Sequence, residues 1–405
     1  MELIEKIKML YLISGRSAAS WNIGRKIPEV TKAFREHADV DLFCGGDIKG
    51  GRGYQNETHE MCSVAEYHAK WYRRNSIVNF FVRSISEMKD MAHCFYSYQY
   101  IKNSGNQYEL IWERSSRLHC AGIFYAKRHS IPCVLEWKDH LIDYKWSLFK
   151  PLALYVEKWK NRSADYIAVE SEVLKDMLIS EGVNPDKIYV TYNAVNPEEF
   201  RKKSDASCRI REELGIGVDE IIVGYVGSYA FYHDSIRMIK AAKILRDKGI
   251  DTIKWLLIGD GKDKNVCEQL ARKEGLYGDS VLMLPFQNKE VIPDYLSAMD
   301  VTVLPGSTDI ICPIKVMEYM AAKSVVLVPD YACNREIIDG TNGLLFMPFD
   351  EMSMAMEIVK VSKDRNVCRQ LGDAARETVC EKLTWGQTYG HVLRIILSEI
   401  EDYGK

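Results

Sequence analysis

The sequence predicts an α/β protein of two Rossmann-like domains in series, each a parallel sheet covered by helices. Three observations predict it. The chain has 405 residues, more than one core of roughly 100–200 residues holds. Short apolar runs alternate with helix-length amphipathic segments, the pattern of parallel strands joined by crossover helices. The alternation then starts afresh after about residue 200.

In the first half, residues 8–14 (Lys-Met-Leu-Tyr-Leu-Ile-Ser) form the first strand candidate, followed by a helical pattern over 27–34 and a strand at 40–43. Further strand candidates are 110–112, 133–136 and 166–169. In the second half, 221–227 (Ile-Ile-Val-Gly-Tyr-Val-Gly) is almost continuously apolar, as a strand buried on both faces must be. Segments 254–259, 281–284, 301–304 and 325–328 repeat that character, each a helix length from the next. The expected division is a first domain over 1–192, a second over 193–380, and a closing segment over 381–405 whose helix, around 385–400, returns across the first domain. The linker falls at 193–204, polar and containing Pro197. In such sheets a ligand binds in the crevice at the carboxyl ends of the strands.

Composition removes several function classes. A net charge of -3 offers no general basic surface for nucleic acid. The 11 cysteines are scattered singly, with no Cys-x-x-Cys pair, so neither zinc spacing nor a disulfide framework is supported. They read as reduced, mostly buried thiols of a cytoplasmic protein. The first residues lack the apolar core of a signal peptide, and no run reaches the ~18 apolar residues of a membrane span.

Five motifs occur in register. Gly259-Asp260-Gly261 follows a strand, and Tyr295 to Pro305 runs Tyr-Leu-Ser-Ala-Met-Asp-Val-Thr-Val-Leu-Pro. Pro313 to Ala322 runs Pro-Ile-Lys-Val-Met-Glu-Tyr-Met-Ala-Ala, and Asn342 to Phe346 runs Asn-Gly-Leu-Leu-Phe. Tyr192-Asn193-Ala194-Val195 marks the linker. This series resembles family four of the retaining glycosyltransferases, which have the GT-B fold. Earlier, Ile111 to Arg114, Gly122 to Lys127 and Ile131 to Glu136 resemble the "Y-x-R … G … A-K-x-x-x-I-P-x-V-x-E" run of its surface-polysaccharide members. The resemblance implies an acceptor-binding first domain and a nucleotide-sugar-binding second domain, their sheets facing an interdomain cleft.

The chemistry of the motifs agrees. A helix beginning at Pro313, with proline in its first turn, directs unpaired N–H groups and a positive dipole end outward, which suits a diphosphate. Ile311, Cys312, Pro313 and Ile314 therefore belong to the donor site, together with Lys315, which either adds a charge to the phosphate or is a solvated lysine. The resemblance implies that Glu318 accepts from the ribose hydroxyls; a carboxylate can take both of a vicinal diol. The alternative is a helix-surface glutamate paired with a lysine. The family's preceding glutamate has no counterpart: Ile310 stands in its place.

Gly227 and Ser228 end the first strand of the second domain, where a glycine lets backbone approach a phosphate. His233 stands where relatives carry a basic residue, and reads either as a phosphate or sugar donor or as an exposed bystander. Gly259, and Phe286 with Gln287 after another strand, complete the donor set. In the first domain Gly15 opens a turn facing the crevice, with Ser17, Asn22 and Gly24 behind it. Asp139 and His140 follow the strand ending at Glu136. The resemblance implies a catalytic-region His or Asp there, to orient the acceptor hydroxyl or take its proton, with a solvated loop as the alternative.

Asp39-Val40-Asp41 has the form of a metal-binding DxD but lies at a strand start, and is read as structural. The reading calls for no metal and no cofactor. The nucleoside-diphosphate sugar, UDP- or GDP-linked, is a substrate, and the partner is a glycan or lipid-linked glycan acceptor. Two other readings remain: a non-catalytic partner subunit, suggested by Ile310, and a sugar-nucleotide epimerase. Residues 70–83 mix basic and aromatic side chains. They read either as a peripheral contact with the inner face of a membrane or as a helix packing Ile77, Phe80 and Phe81 into the first domain.

Overall fold

The computed structural model describes residues 6–13, 26–44, 76–138, 147–230 and 233–403. The chain divides into two compact units, Met1–Tyr192 with Tyr389–Lys405, and Asn193–Thr388.

The first unit runs β1 (Lys8–Ile13), α1 (Lys26–Arg35), β2 (Asp39–Cys44), α2 (Ser76–Asn103), β3 (Leu110–Arg114), α3 (Ala121–His129), β4 (Cys133–Glu136), α4 (Lys150–Ser163), β5 (Tyr166–Val169), α5 (Glu172–Ser180) and β6 (Ile188–Val190). Among the described residues its sheet is six-stranded in the order β2-β1-β3-β4-β5-β6, with every pairing parallel. All five residues of β3 and all four of β4 are buried, so the apolar runs read from sequence are strands covered on both faces. An aromatic cluster sits beneath β1 and β3. Phe34 packs on Trp112 at 4.6 Å between ring centroids and on Tyr11 at 5.3 Å. Ser171 caps α5 by accepting from Leu174 N–H, which satisfies one of the donors a helix start leaves free.

The second unit runs α6 (Ser204–Glu213), β7 (Ile221–Val226), α7 (Ile236–Asp247), β8 (Ile253–Ile258), α8 (Lys264–Lys273), β9 (Val281–Leu284), α9 (Ile292–Ala298), β10 (Val301–Val303), α10 (Ile314–Ala321), β11 (Val325–Pro329), α11 (Ala332–Arg335), β12 (Leu344–Phe346), α12 (Glu351–Ser362) and α13 (Arg365–Lys382). Its described strands form a parallel sheet in the order β12-β11-β10-β7-β8-β9. Both sheets thus have the order reversal that makes a crevice at the carboxyl edge.

The chain then makes a π-helical turn, Gly386–Gly390, before α14 (His391–Tyr403), which belongs to the first unit. Sequence periodicity places this helix about six residues too early, because the turn keeps the same apolar spacing. Tyr189 donates to Glu399 at 2.6 Å, and Tyr389 packs on Phe34. The ten cysteines within the described residues are free thiols, five of them buried; Cys208 and Cys380 are exposed, contrary to burial as the general rule. Among the described residues no helix is long and apolar enough to cross a membrane.

Candidate functional site

The carboxyl edge of the second sheet is built from loops pressed together backbone on backbone. Gly227 N–H donates to the carbonyl of Ile258, and Tyr229 N–H to that of Asp260. Gly259 holds φ at +145°, and a Cβ there would stand 1.9 Å from the Gly227 carbonyl oxygen. Only glycine fits, which gives the Gly-Asp-Gly motif a packing reason of its own. A Cβ on Gly227 would stand 2.3 Å from Lys315 Nζ, so this second glycine leaves room for an ammonium at the end of β7.

Lys315 rises into that space from the first turn of α10. Its Nζ lies 3.5 Å from His233 Nε2 and 4.9 Å from the centroid of the Tyr225 ring, within cation–π range. By surface area the side chain is only half-buried. The protein packed around its ammonium nonetheless lowers its pKa to about 8, burial outweighing the opposing pull of Glu318. His233 is buried, and its Nδ1 lies 3.2 Å from the Gly306 carbonyl. Its pKa is lowered to about 4, first by burial and then by the Lys315 charge. The imidazole is therefore neutral near pH 7. The Gly306 carbonyl requires the proton on Nδ1, which turns the Nε2 lone pair toward the ammonium. The exposed-bystander alternative for His233 is thereby set aside.

The helix start is held from two sides. Tyr319, a turn and a half along α10, donates from its hydroxyl to the Val226 carbonyl and accepts from Val226 N–H, both at 2.9 Å. It pins the end of β7 to the helix. Asn193 Nδ2 donates to the Cys312 carbonyl at 3.0 Å, which fixes the stretch Ile311-Cys312-Pro313 entering it. Pro313 is the N-cap, with φ -69° and ψ 147°, and α10 begins at Ile314. The expected first-turn proline thus stands one residue before the helix: its extended ψ cannot start a turn, though its φ suits the entry. Glu318 is half-buried on α10 and within electrostatic reach of Lys315. Ile310 is half-buried, whereas its neighbour Asp309 is exposed.

The structure brings Gly227, His233 and Lys315 together, with Gly259 beneath them. Ser228 accepts from the Tyr225 hydroxyl through its carbonyl at 2.7 Å. Phe286 and Gln287 follow β9 at the same edge; Phe286 is exposed and Gln287 donates to the Pro285 carbonyl. Among the described residues no hydrogen bond joins them to the Lys315 group. Gly15, Ser17, Asn22, Gly24, Asp139 and His140 lie outside the described residues, as do 70–75. Of the 70–83 segment, residues 76–83 open α2, and Ile77 and Phe81 are exposed. Packing of those two into the first unit is therefore corrected. Asp41 accepts from Asn106 and Tyr108 at 3.0 and 3.1 Å, at the amino half of β2.

Sequence reasoning missed Tyr225, Tyr319 and Gly306 around the lysine, since each reads as ordinary strand, helix or loop. It also missed a charged network at the carboxyl edge of the first sheet. Glu136 is fully buried and accepts from Tyr11 at 3.0 Å and Trp112 at 3.3 Å, with Arg114 Nε 3.6 Å away. Lys26 pairs with Glu170 at 2.6 Å, and Lys138 reaches the same carboxylate at 3.1 Å. The signal was present in the Arg114 and Glu136 positions of the first-domain run.

Comparison with known proteins agrees with this architecture. Residues 29–199 match the family model "Glycosyltransferase Family 4", and residues 207–378 match "Glycosyl transferases group 1". EpsD of Bacillus subtilis (strain 168), assigned by name to the glycosyltransferases, is 28% identical over 240 residues, 58% of this chain and 60% of that protein. The match thus spans about 60% of the relative's length. The alpha-D-kanosaminyltransferase of Streptomyces kanamyceticus is 26% identical over 275 residues, 64% of this chain and 70% of that protein. Among solved structures, Anabaena Alr3699/HepE in complex with UDP superposes with a TM-score of 0.69 at 15% identity, covering 97% of this chain and 100% of that one. At that identity the likeness is one of fold.

Proposed function

The chain belongs to the group 1 and family 4 glycosyltransferases, and from that premise we propose that it is a retaining enzyme moving a hexose-type unit from a nucleoside-diphosphate sugar to a hydroxyl of a glycan or lipid-linked glycan, in surface-polysaccharide biosynthesis. One observation carries the reading: Lys315 is packed against a neutral imidazole and a ring face at the start of α10. A cation enclosed beside neutral groups gains most when an anion joins it, and the N-terminal dipole of α10 acts in the same direction. A diphosphate placed against Gly227 would meet the ammonium, the first N–H groups of α10 and the His233 edge together. As a leaving group it would develop charge where these donors already point.

In this assignment Gly227, Ser228, Lys315 and His233 take the phosphates and Glu318 takes the ribose hydroxyls. Phe286, Gln287 and Gly259 line the base side, with Ile311, Cys312, Pro313 and Ile314 forming the wall. Asp139 or His140 serves the acceptor hydroxyl. UDP and GDP are the favoured nucleotides; UDP is supported by the fold neighbour solved with it. The acceptor class rests on the first-domain motif run.

Thermal melting against UDP, GDP, ADP and TDP tests the proposal, since a ligand that binds only the folded state raises the midpoint. The expected result is a rise with UDP or GDP exceeding that with the other two. No shift with any of the four would overturn it.

A further inference from the structure

Away from the nucleotide edge, the first unit carries an uncovered apolar stripe. On α2, Ile77, Phe81, Ile85, Met88 and Phe95 recur at intervals that set side chains on one helix face, and each is between 55% and 69% exposed. The entry to α4 extends the stripe. Leu148 N–H donates to Ser84 Oγ at 3.2 Å and Ser147 Oγ donates to Glu87 at 2.7 Å, which seats the exposed Leu148 beside α2. Leu152 and Tyr155, one and two turns on, are exposed as well.

The bordering charges indicate what such a surface meets. The two helices hold three carboxylates, Glu87, Asp90 and Glu157, and each is engaged by protein. Glu87 takes the Ser147 hydroxyl, Asp90 takes Arg117 at 2.7 Å, and Glu157 takes Trp137 Nε1 at 2.5 Å and Lys160 at 3.0 Å. The exposed charged residues on these helices are then all basic: Lys89, Lys102, Lys158 and Arg162.

We propose that the α2–α4 face is a docking surface for an anionic lipid bilayer. Apolar side chains would enter the boundary between headgroups and acyl chains while the lysines and Arg162 remain among the headgroups. A second copy of the chain fits less well, because it would bring the same positive border against itself. The inference places the membrane contact on described side chains of α2 and α4, and needs no assumption about sugar chemistry.

Flotation of the full chain with vesicles of phosphatidylcholine alone, and of phosphatidylcholine mixed with phosphatidylglycerol, tests it. Recovery is expected with the mixed vesicles only, falling as salt is added. The Phe81→Glu/Ile85→Glu double variant is expected to lower partition by about tenfold or more. The Lys158→Glu/Arg162→Glu double variant is expected to flatten the salt dependence. All four positions are solvent-facing, so melting temperature and UDP affinity, read on the same samples, should match the parent. The proposal is overturned if the parent does not float with the mixed vesicles, or if both variants float as it does. It is also overturned if the lipid-free parent sediments as a dimer that Phe81→Glu/Ile85→Glu dissolves. Flotation involves no nucleotide, so its failure and failure of the donor reading are separate results.

Discussion

The carboxyl edges of the two sheets handle buried charge in opposite ways. In the first unit Arg114 stands beside Glu136, and Lys26 and Lys138 meet Glu170. The carboxylate of Glu136 also takes the Tyr11 and Trp112 donors. In the second unit Lys315 meets a neutral histidine and a tyrosine ring. A network in which every cation faces a carboxylate holds its own loops in place and gains little from another ion. A cation in contact with a neutral imidazole and a ring face, with Glu318 only in electrostatic reach, keeps its attraction for an anion. The same edge of the same fold thus serves as scaffold in one unit and, on the function proposed above, as a phosphate cradle in the other.

Breaking the matched network should cost the most. Glu136→Ala leaves Arg114 buried beside unpaired donors, and a loss of about 3–5 kcal/mol is expected, read by urea denaturation. A loss below about 1 kcal/mol would mean that the first edge is not the scaffold described here.

The next effect is a pH dependence confined to the second edge. The pKa of His233 falls from 6.5 to about 4 on folding, so between those values the unfolded chain binds the extra proton. Its contribution is fully present above pH 6.5 and is lost as pH falls toward 4, up to about 3 kcal/mol. Stability measured across that range should show the slope in the parent and lose it in His233→Gln. Equal slopes would remove the buried neutral imidazole from the account.

A smaller effect sharpens the assignment within the site. Glu318→Ala should weaken UDP binding about tenfold, roughly 1.4 kcal/mol, while deoxy-UDP lacking the 2′-hydroxyl is affected less. Unchanged UDP affinity would end the ribose role.

Much of the fold could be read in advance because its strands are long apolar runs buried on both faces, as in β7 and β11. The strands that escaped, β6 and β12, are three-residue edge strands only partly buried, so they lack the fully apolar character of a strand covered on both faces; β10 is as short but lies inside its sheet and is wholly buried. At the site, Lys315 and Glu318 were legible because a short helix presents them in order. Their surroundings were not, since His233 lies 82 residues from Lys315 and Tyr319 reads as a core aromatic until its hydroxyl is seen on β7. The network at Glu136 was hidden for the converse reason: a charged residue ending an apolar strand reads as solvated, and only the fold shows what encloses it.

On the function proposed above, the Lys315 ammonium binds the diphosphate. Calorimetry of UDP binding at pH 8, in buffers of different ionisation enthalpy, tests it directly in the parent and in Lys315→Met. Because that lysine's pKa is lowered to about 8, an arriving anion should raise it and draw in a proton. Proton uptake is expected in the parent and none in Lys315→Met, with an affinity at least about tenfold weaker in the variant. Equal affinity and equal proton uptake in the two proteins would contradict it.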